Sequence, residues 1–241
     1  MFRFLYVLSF MALYLIYSVP NLVKMKNISG SLPVEEKDRK RHAMAKRWAR
    51  GIIKRTGTAV EVTGEGNIPD GPVLFISNHE GDFDIPVLLG YVDKPFGFMS
   101  KIEVKKVPII SGWMDVLNCV FVDRKNKRQS VLSLRECTAK LKDGHSLVIF
   151  PEGTRNKGRG IGEFKTGASR IALDAGVPVV PIHISGTADI YENQKRGLKP
   201  ASVSINILPA LQLIDYQGKT PRDMADFLKE IIESGRIHKA S

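Results

Sequence analysis

The first hydrophobic feature of the chain is an uncharged run from Phe4 to Val23. At about 1.5 Å per residue, a helix of these ~20 residues is ~30 Å long, enough to cross the hydrocarbon core of a bilayer. Pro20 and the basic segment that follows also permit a shallow, re-entrant insertion. A cleaved signal peptide is a third interpretation, although no small-x-small cleavage pattern follows the run. The pattern predicts contact with a membrane.

The next segment places apolar residues at helical spacing among basic ones. Met44, Trp48, Ile52 and Ile53 recur within a run of lysines and arginines that extends from Lys37 to Arg55. A basic amphipathic helix of this kind binds anionic membrane surfaces. The alternative is that the side of the helix with Trp48 packs on the protein core while its charges are solvated. Both interpretations can be true of the same helix, each for a different face.

From Thr58 onward, short apolar runs alternate with helical patterns. The predicted strands are Val73–Ile76, Cys119–Val122, Leu147–Phe150 and Val177–Ile184, and the predicted helices are Val131–Leu141, Thr166–Asp174 and one that follows Thr220-Pro221. Continuous apolar strands with helices between them are typical of a sheet that is covered on both faces. We therefore predict an α/β fold with a single mixed, largely parallel sheet covered by helices. An N-terminal membrane-associated helical segment at residues 1–57 precedes a folded domain at residues 58–241.

Composition and charge narrow the class of protein. A chain of 241 residues with 43% hydrophobic and 25% charged residues is typical of one globular domain rather than of a disordered or polytopic membrane protein. The net charge of +11 favours an acidic partner, whether an anionic membrane, nucleic acid or an acidic protein. Cys119 and Cys137 lack the spacing of a metal site and are interpreted as free thiols in a reducing compartment.

The strand that ends at Ile76 runs into the sequence Ser-Asn-His-Glu-Gly-Asp-Phe-Asp, which places His79 and three carboxylates at the end of a buried strand. The five-residue separation from His79 to Asp84 does not put both on one helix face, so we expect His79 in a loop and Asp84 in the first turn of the next helix. Asp84 can then accept a hydrogen bond from one imidazole nitrogen and leave the other as a base.

The sequence around His79 contains no candidate protein nucleophile. The chain contains no Gly-x-Ser-x-Gly motif, and neither cysteine lies beside the loop in sequence, which favours activation of a substrate hydroxyl. Two alternatives are a solvated structural loop and a divalent-cation site built from His79, Glu80, Asp82 and Asp84.

Basic residues follow the ends of other predicted strands. Phe150-Pro151 leads into Glu152, Gly153, Thr154 and Arg155, and Arg124 follows the strand that ends at Val122. Gly153 permits close approach of the backbone, and the planar fork of an arginine suits a phosphate. Arg155 by itself indicates an anion site. Arg124 and Lys101 are more often surface charges when taken singly, but together with Arg155 they predict one phosphate site.

These blocks resemble, in order, the four motifs of the glycerolipid acyltransferases, specifically the 1-acyl-glycerol-3-phosphate acyltransferases. The matching segments are Asn78-His79 with Asp84, Val122-Asp123-Arg124, Phe150 to Arg155, and Val177 to Ile182. The resemblance implies that residues 58–241 form the catalytic domain, that His79 is the base and Asp84 its orienting partner, and that Asn78 supports them. It assigns the acceptor phosphate to Lys101, Arg124, Glu152, Gly153, Thr154 and Arg155. Lys101 fits less closely, because Val104 stands where a leucine is usual.

The resemblance further implies direct transfer of an acyl chain from a thioester to the 2-hydroxyl of 1-acyl-glycerol-3-phosphate, giving phosphatidic acid. No cofactor or metal is expected; an acyl carrier protein or coenzyme A thioester is the co-substrate. The expected partners are a membrane lipid and an anionic membrane surface, not nucleic acid, with the catalytic domain facing the cytoplasm at a bacterial cell membrane. Glycerol-3-phosphate or another lysophospholipid is an alternative acceptor, and a non-catalytic basic membrane- or nucleic-acid-binding protein explains the charge but not the motifs.

Overall fold

The fold is built around one seven-stranded sheet with the order β1-β7-β6-β2-β5-β3-β4. The computed structural model describes residues 2–28 and 30–236. Strands β6, β2, β5, β3 and β4 run parallel to one another, whereas β7 is antiparallel to β6 and pairs in parallel with β1. This is the mixed, largely parallel sheet that the sequence predicts.

The seven strands include every predicted one and three more. Their bounds are β1 Ala59–Thr63, β2 Leu74–Ser77, β3 Gly97–Lys101, β4 Val120–Val122, β5 Leu147–Ile149, β6 Val179–Ser185 and β7 Ser202–Ile207. Strands β2, β5 and β4 are buried along their whole length, which explains their continuous apolar sequences. In contrast, β1 and β7 alternate polar with apolar residues at the edge of the sheet, and for this reason an apolar run does not reveal them.

Helices cover both faces of the sheet. Their bounds are α1 Phe2–Lys26, α2 Val34–Thr56, α3 Asp84–Tyr91, α4 Pro108–Val116, α5 Lys127–Lys142, α6 Thr166–Ala175, α7 Leu213–Tyr216 and α8 Pro221–Ser234. Helices α2 and α3 pack on one face, and α5, α6 and α8 pack on the other. The predicted C-terminal helix is confirmed, with Thr220 as its N-cap in a reciprocal capping box with Asp223.

Helix α2 is an integral part of the core. Ala49, Ile52 and Ile53 are fully buried with the strands of the sheet, so the apolar side of the predicted basic helix packs on the protein. Several of its charges also have protein partners: Lys46 pairs with Asp93 at 2.5 Å, and Arg50 donates to the Gly90 carbonyl at 2.7 Å. The helix therefore fastens the N-terminal segment to the domain.

Helix α1 lies against α2 and α4 and leaves a broad apolar surface open. Val7, Leu22 and Met25 are buried, and the indole Nε1 of Trp113 donates to Ser18 Oγ at 2.8 Å. Most other large side chains of α1 are exposed, among them Leu13 at 67% and Ile16 at 63%. Among the described residues this is the one helix long and apolar enough to cross a membrane. Exposed apolar area of this extent marks a surface for a membrane or a partner.

Candidate active site

The catalytic loop, residues 78–83, follows β2 at the centre of the sheet. Because β2 pairs in parallel with β5 on one side and β6 on the other, the carboxyl ends of the three strands meet at one edge. The loop after β5 begins at Phe150, and the loop after β6 begins at Gly186. Three separate sequence blocks are thereby brought together where ligands of such sheets bind.

His79 and Asp84 form a hydrogen-bonded pair. The imidazole Nδ1 lies 2.6 Å from Asp84 Oδ2, and Asp84 is the first residue of α3, as the spacing predicts. Asp84 is fully buried, whereas 19% of the His79 side chain is exposed. With Nδ1–H donating to the carboxylate, Nε2 is left as the proton acceptor for a substrate at the open side of the site.

Both oxygens of Asp84 are engaged. Oδ2 also accepts a hydrogen bond from the Gly81 N–H at 3.1 Å, and Oδ1 accepts one from the hydroxyl of the buried Thr187. Sequence reasoning did not single out Thr187, which lies five residues after Ile182, the end of the fourth block. Its position after β6, the parallel neighbour of β2, is the signal that points to it.

Glu80 is a second acidic residue behind the pair. Its Oε2 accepts hydrogen bonds from the Gly186 and Thr187 N–H groups at 2.8 and 3.1 Å. Burial raises the pKa of Glu80 to about 7, and the nearby charge of Asp84 acts in the same direction. Thr187 thus lies between two carboxyl groups that belong to the same loop.

Glu152 holds the catalytic loop from the β5 side. Its Oε1 accepts a hydrogen bond from the His79 backbone N–H at 2.7 Å, and its Oε2 accepts one from the Gly162 N–H at 2.9 Å. The Asn156 N–H in turn donates to the His79 carbonyl at 2.7 Å. The buried carboxylate therefore fixes the backbone of the base, a contact different from the phosphate role that the resemblance assigns to it.

Asn78 and Phe150 complete the support of His79. The Asn78 side chain donates to the Ile184 carbonyl and accepts from the Ile184 N–H, both at 2.8 Å, which ties the end of β2 to β6. The Phe150 ring stacks on the His79 ring with their centroids 4.2 Å apart. The orientation of the imidazole is thus set by packing as well as by hydrogen bonds.

The predicted anion-binding residues follow neighbouring strands but have partners of their own. Arg155 pairs with Asp82 at 2.5 Å and with the buried Glu192 at 3.3 Å, and Arg124 donates to the Gly153 carbonyl. Lys101 is the last residue of β3 and is in register with Val122, which lies two residues before Arg124. Thr154 is exposed. The structure brings Arg124 and Gly153 together, whereas the convergence of Arg155, Arg124 and Lys101 on one phosphate stays a prediction.

The acidic residues of the loop have protein partners. Asp82 turns to Arg155, and Glu80 turns to the backbone after β6. In residues 2–28 and 30–236, no group of three or more His, Cys, Asp and Glu side chains is arranged to hold a metal ion. This geometry does not favour the alternative of a cation bound by His79, Glu80, Asp82 and Asp84.

The two cysteines take no part in this site. Both are buried and free, and burial raises the pKa of each thiol to about 12. A thiol is a nucleophile only as its thiolate, so neither is prepared for attack.

An apolar cavity of about 250 Å³ lies between the N-terminal helices and α4. We call it the deep cavity; its lining includes Ala45, Trp48, Ile85, Leu89, Ile110 and Met114. Ile85 follows Asp84 directly, so the cavity reaches α3 next to the catalytic pair. Its lining suits a hydrocarbon chain.

Comparison with known proteins agrees with this geometry. The acyltransferase family model matches residues 59–185, the part of the chain that carries every block of the site. The probable 1-acyl-sn-glycerol-3-phosphate acyltransferase of Mycoplasma pneumoniae is 33% identical over 80% of this chain and 75% of its own length. The protein of the same name from Mycoplasma genitalium is 30% identical over 95% of this chain and 91% of its own length.

A solved structure extends the similarity to the whole fold. The crystal structure of the 1-acyl-sn-glycerophosphate (LPA) acyltransferase PlsC from Thermotoga maritima matches with a TM-score of 0.84 and 25% identity, covering 99% of this chain and 97% of the other. The match therefore includes the N-terminal helices as well as the sheet. The chain belongs to the acyltransferase family.

Proposed function

We propose that this protein transfers a fatty acyl chain from an acyl thioester to the 2-hydroxyl of a 1-acyl-glycerol-3-phosphate, giving phosphatidic acid for phospholipid synthesis. The observation that carries the proposal is the His79–Asp84 pair, with Nδ1 held at 2.6 Å from the buried carboxylate and Nε2 left for substrate. Two relatives that match most of this chain bear the name of this activity.

The reaction follows from this arrangement. Nε2 of His79 takes the proton of the acceptor hydroxyl as its oxygen attacks the thioester carbonyl carbon. The tetrahedral intermediate then collapses and its C–S bond breaks. His79 returns the proton to the departing sulfur, which leaves as a thiol. Asp84 keeps the imidazole in the required tautomer and stabilises its charged form. No covalent acyl-enzyme is formed, because the acceptor itself is the nucleophile.

The substrates are assigned by charge and polarity. Arg155, Arg124 and Lys101 would bind the acceptor phosphate once Arg155 exchanges its carboxylate partners for it, with Gly153 and Thr154 lining the approach. The deep cavity would take the acyl chain of the donor. The thioester belongs to acyl carrier protein or coenzyme A, both of which are acidic and complement the net charge of +11.

The membrane would hold the enzyme through α1. Phe4 at one end of this helix stacks on Tyr191, and Leu22 at the other end packs beside Trp113, so α1 lies along the domain over its length. A helix held in this way favours immersion in one leaflet rather than crossing. If α1 instead crossed the bilayer, the excess of basic residues that follow it would favour the cytoplasmic side for the domain.

The test compares two histidines in the same geometry. His145 Nδ1 lies 2.6 Å from Asp38 Oδ2, the same distance as in the His79–Asp84 pair. His79→Ala should lower the rate of acyl transfer to 1-oleoyl-glycerol-3-phosphate by roughly 10²–10⁴-fold, the usual contribution of a general base. The control variant His145→Ala should keep the wild-type rate after correction for the folded fraction. In the wild-type enzyme, glycerol-3-phosphate should be a poor acceptor. Near-normal turnover by His79→Ala, or a covalent acyl-enzyme on the reaction path, would disprove the mechanism.

A further inference from the structure

A second apolar cavity, of about 340 Å³, lies between α1 and the start of α3. We call it the α1 groove; its apolar lining includes Val7, Leu8, Met11, Ile52, Pro86 and Leu198. Asp82 and Phe83 of the catalytic loop also line it, so the groove reaches the residues that directly precede Asp84. Both apolar cavities therefore extend to residues next to Asp84 in sequence.

The α1 groove and the deep cavity are separate but adjacent. Trp48 and Ile85 line both of them and form the partition between them. An enzyme that joins a second acyl chain to a single-chain lipid must hold two chains at the same time. A pair of adjacent apolar cavities that both reach the start of α3 meets this requirement.

A basic cavity of about 670 Å³ adjoins the α1 groove. Phe4 and Tyr191, whose rings stack with centroids 6.3 Å apart, line both. The cationic side chains of this cavity are Arg155, Lys157, Lys195 and Arg196. An apolar groove that opens onto four cations complements one kind of ligand, an amphiphile with one hydrocarbon chain and an anionic head.

We infer that the α1 groove binds the acyl chain of the lysophospholipid acceptor and that the basic cavity receives its anionic head and guides the phosphate to Arg155, the residue that the cavity shares with the proposed phosphate site. The inference rests on the proposed function and adds to it a place for the acceptor and a role for Lys157, Lys195 and Arg196. The groove is bounded by α1, whose outer face is apolar and exposed, so a single-chain lipid can enter it from the surrounding leaflet. The donor chain then occupies the deep cavity, on the other side of Trp48.

A kinetic test uses two leucines of α1 that are equally exposed. Leu8 lines the groove and is 49% exposed, and Leu5, which is 51% exposed, does not line it. Leu8→Trp should raise the apparent KM for 1-oleoyl-glycerol-3-phosphate at least tenfold and that for the 1-hexanoyl acceptor less than twofold, because only the long chain fills the groove. Leu5→Trp should change neither value. Equal effects of Leu8→Trp on both acceptors would overturn the assignment.

The deep cavity supplies the opposite control. Ile110→Trp should shift the enzyme toward shorter acyl donors without changing its discrimination between the two acceptors. If Leu8→Trp altered donor chain length and Ile110→Trp altered acceptor chain length, the two sites would have been assigned the wrong way round.

The basic cavity is tested by charge reversal. Lys195→Glu with Arg196→Glu should raise the acceptor KM at least fivefold and leave the donor KM unchanged. Arg135→Glu with Lys142→Glu, two exposed changes on α5, is the control for the same change in net charge. A rise confined to the donor KM would assign the cavity to the donor and overturn this half of the inference.

A binding measurement separates this inference from the proposed reaction. Trp48 and Trp113 are the two tryptophans of the chain, so full-length Trp113→Phe reports on Trp48 alone. A lysophosphatidate with a brominated chain should quench Trp48 fluorescence saturably, and Met11→Phe, which narrows the groove, should weaken this binding. Loss of turnover with quenching intact would reject the reaction but keep the site. Turnover without saturable quenching would reject the site alone.

Discussion

At the scale of single residues, the catalytic carboxylate is held by three donors. Asp84 accepts from the His79 ring, the Gly81 N–H and the Thr187 hydroxyl, and it has no exposed surface. A buried carboxylate with this many donors cannot rotate away from the imidazole without leaving a polar group unpaired. The base is therefore oriented before substrate arrives.

Thr187 is expected to act through Asp84 as a positioning residue. Thr187→Val keeps the shape of the side chain but removes its hydroxyl, so Asp84 Oδ1 loses a hydrogen-bond donor. An unpaired buried polar group costs about 1–3 kcal/mol. We therefore expect kcat to fall by roughly tenfold, with KM little changed. Thr187→Ser should restore most of the rate. A purely structural role would instead give a wild-type kcat once the data are corrected for the folded fraction.

Glu80 is expected to make stability depend on pH. Its pKa is about 7 in the folded protein and 4.5 for an ordinary, solvated glutamate, so the folded state keeps a proton that the unfolded chain releases. The resulting contribution to the free energy of unfolding is present below pH 4.5 and is lost as the pH rises toward 7. Glu80→Gln cannot ionise and should not show this loss. Thermal unfolding of both proteins from pH 4.5 to pH 7.5 measures the difference, and parallel curves would contradict the assignment.

At the scale of elements, the site is a consequence of which strands are neighbours. The loops after β2, β5 and β6 supply His79, Glu152 and Thr187, and each is placed by the parallel pairing of its strand. Gly186 makes the last of these turns possible. Its φ is +91°, and a Cβ atom there would collide with the Ser202 carbonyl oxygen of β7.

Gly186→Ala should therefore damage the site through the backbone. The strained φ and the collision would displace the Gly186 and Thr187 N–H groups from Glu80 and the Thr187 hydroxyl from Asp84. We expect both a lower melting temperature and a lower kcat than in wild type. Gly71→Ala is the control, because Gly71 also has a positive φ but has open space around it. The Gly71→Ala variant should lose stability without losing activity. Equal activity of the two folded variants would show that the turn does not position the site.

The sequence predicted elements best where one face or both faces are buried. Continuous apolar runs identified β2, β4, β5 and β6, and the spacing from His79 to Asp84 correctly placed Asp84 at the start of α3. The strand β7 was missed because its alternation of polar and apolar residues is short and lies among turns. Thr187 and Glu192 were missed for a different reason: both lie in the segment after β6, and their contacts with the catalytic loop depend on tertiary pairing.

At the scale of the whole molecule, one side of the protein is built for lipid. The open face of α1, the α1 groove and the deep cavity all lie on the side of the sheet covered by α2 and α3. The other side, covered by α5, α6 and α8, closes a conventional core. With α1 immersed in a leaflet, as proposed, both cavities would lie on the side of the sheet that faces the lipid.

Membrane binding should depend on the outer face of α1 rather than on apolar exposure in general. Leu13→Gln with Ile16→Gln removes two exposed apolar side chains without touching the packed side, so the protein should stay folded but float poorly with liposomes, even at high salt. The control pair Val131→Gln and Leu132→Gln on α5 removes residues that are 47% and 52% exposed. Unchanged flotation of the α1 variant, or an equal loss in the α5 variant, would show that α1 is not the anchor.

The pairing of β1 with β7 sets the order in which the nascent chain can finish folding. Val60 is in register with Val203, so the first strand of the sheet finds its partner only after nearly the whole chain has left the ribosome. At typical rates of synthesis this delay is on the order of 10 s. Helix α1 emerges before either strand and is available to the bilayer throughout that interval. The catalytic domain should therefore complete its sheet while already tethered, so that each new enzyme matures at the surface where its lipid substrate resides.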